Sequence, residues 1–290
     1  MSGIVFALLA LFGWGFGDFF IQRATRAVGI WKALLLIDVV GIVTLFPFIL
    51  KDFGLLFSSA FHIGILIIAS VVILLTALAE FESLRRGKLA IVEPILSLEL
   101  LLTVALSVLV WGEQLTFAQL MLAGIAFLGI TLAVTEHHTH LHYHRRIFLE
   151  RGVLFAILGA VGMGLFNFLV GVGSQEISPL MTIWFTSMFT AIFIIFHLKR
   201  RGELRGFLTD LRRHTTTLVA VCVLDNFAWV SFAVATTLIP ITITTTISES
   251  YIALTVFLGV FINKEKLRFH QIVGIVLTIA AILILATTIR

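Results

Sequence analysis

Phe269-His270-Gln271-Ile272-Val273-Gly274-Ile275-Val276-Leu277-Thr278-Ile279-Ala280-Ala281-Ile282-Leu283-Ile284-Leu285-Ala286 contains no Asp, Glu, Lys or Arg. A helix needs about 20 predominantly apolar residues to cross a hydrocarbon core about 30 Å thick, and the run from 268 to 289 has that length. Working back toward the N-terminus, the same reading finds windows at roughly 240–262, 216–237, 178–198, 152–172, 116–135, 89–110, 62–84, 33–50 and 3–22, ten in all. The runs are continuous and do not alternate, which excludes a hydrophobic barrel. Short loops between them suit a bundle of antiparallel neighbours. The first window, Gly3 to Gln22, has no basic residue ahead of it and has a counterpart later in the chain. It therefore reads as a retained span, not a cleaved signal.

Composition agrees with that reading. The 290 residues are 60% hydrophobic and 12% charged, with a mean hydropathy of +1.12. Soluble domains are about 45–50% apolar and about 25% charged, so the polar residues here cannot cover the apolar ones. A soluble fold, a disordered chain, a disulfide scaffold and a nucleic-acid-binding domain are excluded together. The single Cys222 permits no internal disulfide. The expected fold class is an all-α integral membrane protein.

The chain also repeats itself. Gly3-Ile4-Val5-Phe6-Ala7-Leu8-Leu9 resembles Gly152-Val153-Leu154-Phe155-Ala156-Ile157-Leu158, and the glycine-rich stretch Gly13–Phe19 lines up with Gly162–Phe168. Gly112-Glu113-Gln114-Leu115-Thr116 with Gln119 matches Lys264-Glu265-Lys266-Leu267-Arg268 with Gln271. Residues 1–135 and 152–290 thus form two five-helix repeats joined by a His/Arg-rich linker at 136–151. An odd number of spans forces the second repeat to enter the membrane opposite to the first, giving ten helices as two inverted repeats. Of the 20 basic residues, all but Lys51 and Arg290 fall in alternate loops on one face. The positive-inside rule puts that face in the cytoplasm, both termini outside, and the protein in the cell (plasma or inner) membrane.

With these features the sequence resembles the drug/metabolite transporter superfamily, of the EamA type. The likeness rests on the span count, the two repeats and the Gly-Glu-x-Leu-Thr-x-x-Gln signature at Gly112–Gln119. The second copy keeps Glu265, Leu267 and Gln271. Where such proteins usually carry a proline thirteen residues before the signature glutamate, this chain has Leu100 and Ile252. Many members place both termini in the cytoplasm, opposite to the charge bias here. The resemblance implies transport of small molecules, often export of amino acids, other metabolites or drugs.

The residues themselves point to where such transport would act. Eight of the 16 acids fall inside the spans: Asp18, Asp38, Glu80, Glu82, Glu93, Glu99, Asp225 and Glu249. A charge at a helix centre costs at least about 2.5 kcal/mol, so each is a functional candidate. With no basic partner in the spans, they accept a proton or another cation. Glu99, Asp225 and Glu249 lie deepest, Asp38 is near a span centre, and Glu80 and Glu93 sit nearer the cytoplasmic end. Glu82 is read as pairing with Arg86 at i,i+4, and Asp18 as reaching headgroups.

Thr242, Thr245, Thr246 and Glu249 form one stripe at helical spacing, and Glu99, Thr103 and Ser107 form another on the equivalent span. Tyr251 and Asn226 join the candidate set as neighbours of Glu249 and Asp225. Trp14 and Trp229 lie deep in their spans, Trp229 one turn from Asp225, where an aromatic face can hold an organic ammonium. Trp31, Trp111 and Trp184 read as interfacial belt residues. The glycines of spans one and six read as close helix contacts, and Pro94 as a kink in span four.

The expected function is a secondary transporter of small metabolites, amino acids or cationic organic compounds, an exporter that works by alternating access with proton coupling. The competing reading is a divalent-metal transporter or channel using the same carboxylates. The five histidines between His137 and His144 read as a solvated, pH-sensitive linker. No His-Glu-x-x-His signature or Ser/His/Asp spacing points to an enzyme, and no cofactor is implied. The partners are a small-molecule substrate, protons and the lipid bilayer, with no nucleic acid.

Overall fold

In hydrocarbon every backbone N–H and C=O must be paired within its own segment, so continuous apolar runs fold as helices. The structure, a computed structural model, describes residues 1–86, 95–134, 151–204, 207, 212–254 and 268–288. The helices are α1 (Ser2–Val28), α2 (Ile30–Ile49), α3 (Phe53–Leu56), α4 (Ala60–Arg86), α5 (Glu99–Leu109), α6 (Phe117–Val134), α7 (Arg151–Glu176), α8 (Pro179–Arg201), α9 (Thr215–Leu238), α10 (Ile241–Ser248) and α11 (Phe269–Thr287). Glu93, Pro94, the linker through residue 150 and the second signature copy through residue 267 lie outside the described residues, as do the side chains of Asp18 and Arg86.

Among the described residues, six stretches are long and apolar enough to cross a membrane: Ile30–Leu56, Ala60–Glu80, Leu154–Glu176, Pro179–Arg201, Thr215–Leu238 and Phe269–Thr287. Shorter apolar helices run over Ser2–Gly17, Glu99–Leu109 and Phe117–Ala133. Large apolar side chains such as Val43, Ile192 and Leu283 point outward, as a surface solvated by lipid requires. Trp184 departs from its expected belt position. It is buried, and its indole N–H donates to the Ile42 carbonyl at 3.2 Å.

The two repeats interlock instead of packing side by side. α1 lies along α9, and the equivalent pair α7 and α4 do the same. α2 packs on its counterpart α8, α6 on its counterpart α11, and α5 meets α10. Glycines set the approach at equivalent points. A Cβ on Gly13 would stand 2.8 Å from the Ala228 Cβ on α9, and one on Gly162 would stand 2.0 Å from the Thr76 hydroxyl on α4. On α6 and α11, Gly129 and Gly274 meet each other's backbone, where small residues let helices pack without a hydrophobic drive.

The signature motif acts at the helix ends. Gly112 takes a φ of 74°, which glycine adopts without strain. The next residue, Glu113, accepts from the backbone N–H groups of Ile241 and Thr242, capping α10 from the other repeat. Gln119 accepts from the Thr116 N–H at 2.9 Å and donates to the Thr288 hydroxyl at the far end of α11. Gln271 repeats the arrangement, accepting from the Arg268 N–H at 3.0 Å and donating to the Ala133 carbonyl at the end of α6.

Candidate substrate-binding cavity

Span four, read from sequence as kinked at Pro94, and span nine, read as continuous, are both interrupted. Turns at 97–98 and 249–250 separate the helical residues on either side. The same tightened hydrogen bonds appear in both: Leu98 N–H to Ile95 C=O and Leu101 N–H to Leu98 C=O, then Ser250 N–H to Ile247 C=O and Ala253 N–H to Ser250 C=O. In this register Ser97 corresponds to Glu249 and Glu99 to Tyr251. Hydroxyls account for the break in span nine. Thr245, Thr246, Ser248 and Ser250 all donate to carbonyls of their own helix, a habit that bends helices.

Glu99 and Glu249 meet at these breaks. Their carboxyl groups lie within hydrogen-bonding reach of each other, an arrangement that a proton on one of the two would satisfy. Glu249 also accepts from the Asn167 side-chain N–H at 3.1 Å. Both glutamates are buried, and Asn167 is fully so. Asp38 on α2 accepts from the Thr190 hydroxyl on α8 at 2.8 Å and lies close enough to Asp225 on α9 for their charges to interact. Asn226 ties α9 to α2 by donating to the Ile37 carbonyl at 3.0 Å.

These groups line one cavity of about 160 Å³. Asp38, Glu80, Glu99, Asp225 and Glu249 all border it, with Asn167 and Asn226, and no Lys, Arg or His is among its described lining residues. Trp14, Trp229, Phe166 and Tyr251 supply an aromatic wall. The Trp229 ring stands edge-on to Trp14 at 4.9 Å and to Phe166 at 5.0 Å, and Trp14 lies 6.0 Å from Tyr251.

Two sequence-derived candidates are not at the cavity. Thr103 donates to the Glu99 and Gly164 carbonyls, and Thr246 to that of Thr242. These two hydroxyls face protein, because a threonine hydroxyl in an apolar setting takes the nearest backbone acceptor. Glu93 lies outside the described residues. Asn167 was not singled out as a site residue. Its signal was register, since it falls opposite Asp18 when the glycine-rich stretches are aligned.

Residues 1–135 and 150–287 match the EamA-like transporter family. The chain belongs to that family. As an EamA-like protein it is a multi-pass membrane transporter of small molecules, built from two repeats within the drug/metabolite transporter superfamily. An uncharacterized protein of Methanocaldococcus jannaschii is 28% identical over 131 residues, which take up 45% of the EamA-like chain and 95% of the relative. A crystal structure of another protein superposes with a TM-score of 0.74 at 14% identity, covering 99% of this EamA-like chain and 98% of that one. At that identity the likeness concerns the fold.

Proposed function

We propose that this chain is a secondary active exporter of small, cationic organic metabolites, driven by proton exchange at the cavity. Ten spans arranged as two inverted five-helix repeats alternate the access of one shared site, with the basic loops in the cytoplasm and the protein in the cell membrane. The observation that carries the reading is the cavity itself. Carboxyl groups from both repeats converge there with no described basic residue, so the site is complete only with protons or another cation in it.

The mechanism follows from occupancy. Proton on the Glu99–Glu249 pair and cation in the cavity are alternatives, because each neutralises the same charge. If the halves rock only when one of the two is bound, a proton entering down its gradient is exchanged for a substrate leaving. Asp38, Asp225 and Glu80 extend the anionic lining and Asn226 adds a neutral amide, while Trp14, Trp229 and Tyr251 give apolar and cation–π contact. Among the described residues no three His, Cys, Asp or Glu side chains converge on a metal position, so the geometry gives the metal-cation reading no support of its own.

The test is reconstitution in liposomes under an imposed pH gradient. Proton-linked flux of an organic cation is expected in the unaltered protein and not in Glu99→Gln. Full proton coupling in Glu99→Gln would overturn the role of the pair, and flux indifferent to the gradient would overturn exchange.

A further inference from the structure

Four of the five carboxyl groups that line the cavity fall into two pairs, the fifth being Glu80, and the rings of the lining join the pairs. At one end Asp38 and Asp225 approach from α2 and α9. At the other, Glu99 and Glu249 meet at the helix breaks beside Asn167. Trp229 lies one helical turn after Asp225. It touches Trp14, which in turn reaches Tyr251, two residues beyond Glu249. The aromatic wall therefore runs from the aspartate pair to the glutamate pair.

Asn167 adds an independent observation. Its N–H is committed to Glu249, but its side-chain carbonyl oxygen, fully buried at the cavity, has no hydrogen-bond partner. Buried acceptors are almost always satisfied, and this one belongs to a residue that lines the cavity, where a donor on a ligand would satisfy it. The volume of about 160 Å³ is small beside the roughly 300–1,000 Å³ of pockets that take drug-sized ligands.

We propose that the cavity takes a linear α,ω-diamine, with one ammonium between Asp38 and Asp225, the other against Glu249 and Asn167, and the methylene stem along Trp229 and Trp14. Alternatives fail on stated chemistry. A zwitterionic amino acid brings a carboxylate among carboxylates. A quaternary ammonium has no N–H for the Asn167 oxygen. A monoamine leaves one acid pair without its counter-charge. As the second ammonium binds, the proton shared by Glu99 and Glu249 is released, so the binding of this ligand class deepens the exchange reading above while being measurable without transport.

The experiment is a thermal-shift series on the detergent-purified full chain, since ligand binding to the folded state raises stability by RT ln(1 + [L]/Kd). The probes are unbranched diamines of increasing length, the monoamine of each length, tetramethylammonium and alanine. Expected is one preferred diamine length, bound at least about tenfold more tightly than its monoamine, a factor equal to about 1.4 kcal/mol. Asn167→Ala should weaken that diamine about tenfold and leave tetramethylammonium unchanged. Asp38→Asn should abolish the preference for diamine over monoamine. Affinity independent of length, or a monoamine, tetramethylammonium or alanine matching the best diamine, overturns the proposal. If another solute is carried by proton exchange while no diamine binds, the diamine fails and the exchange reading stands. If diamines bind in this pattern but never cross a liposome membrane, the exchange reading fails and the diamine site stands.

Discussion

The two repeats share a backbone and divide the chemistry. Their chain breaks carry the same hydrogen bonds, and their glycines sit against equivalent neighbours: Gly15 beside Leu254, Gly164 beside Leu102. Yet the side chains at matching places differ. Glu249 stands where the first repeat has Ser97, and Tyr251 where it has Glu99. The lesson is that symmetry builds the scaffold that moves, and departures from it build the surface that recognises.

That division can be broken most directly at the acids. If recognition and coupling live in the departures, Glu249→Gln should reduce proton-driven flux at least about a hundredfold, about 2.7 kcal/mol in a barrier, while the protein still folds. Cation binding to the unaltered protein should weaken as pH falls, because protons and cation compete, and Glu249→Gln should flatten that dependence. Flux that survives the substitution would show that the asymmetric acids are passengers.

Equivalent glycines test the shared scaffold. A Cβ on Gly164 would sit 2.6 Å from the Glu99 carbonyl oxygen, whereas one on Gly15 would meet only the Leu254 side chain, at 2.8 Å. Backbone cannot yield as a leucine tip can. Gly164→Ala should cost about 1–3 kcal/mol and Gly15→Ala under about 1 kcal/mol, read as a larger drop in Tm for the first. Equal losses would mean the repeats are packed alike to the last atom.

Glu113→Gln removes the charged cap of α10. The expected loss is about 1 kcal/mol, with faster hydrogen exchange at the Ile241 and Thr242 amides. Exchange unchanged at those two amides would deny the cap any role.

The smallest contrast concerns two threonines. Thr103 reaches across the repeats to Gly164 at 2.9 Å, while Thr246 bonds only within its helix. Thr103→Val should cost about 0.6 kcal/mol, the average for interhelix bonds in a membrane, and Thr246→Val less. The reverse order in Tm would remove the crossing bond from the scaffold.

Much of this was legible in the sequence for a physical reason: a bilayer imposes length and apolarity, and it makes every internal charge conspicuous. Asp38, Glu80, Glu99, Asp225 and Glu249 stood out because their spans held no Lys or Arg, and the structure places them around one cavity. The break in span nine was not legible, since Glu249-Ser250 contains neither proline nor glycine, whereas span four carried Pro94 as the sign of a kink. The break in span nine arises beside hydroxyls turned on their own helix, which periodicity cannot distinguish from hydroxyls turned to a site. Thr245 and Thr246 are of that kind. Asn167 was hidden because a single amide between Phe166 and Phe168 carries no charge to draw the eye.

The short helix α10 has one more consequence. Its eight residues make a rod of roughly 12 Å at about 1.5 Å per residue. Glu113 clasps its outer end, and the turn at Glu249 is its pivot. A tilt of about 10° at the pivot swings the clasped tip by roughly 2 Å, the order of one interface helix shift. Under the proposed exchange, a proton gained or lost at Glu249 would act at this pivot and be read as a displacement of the clasped end. The capping carboxylate is the catch that this lever must slip.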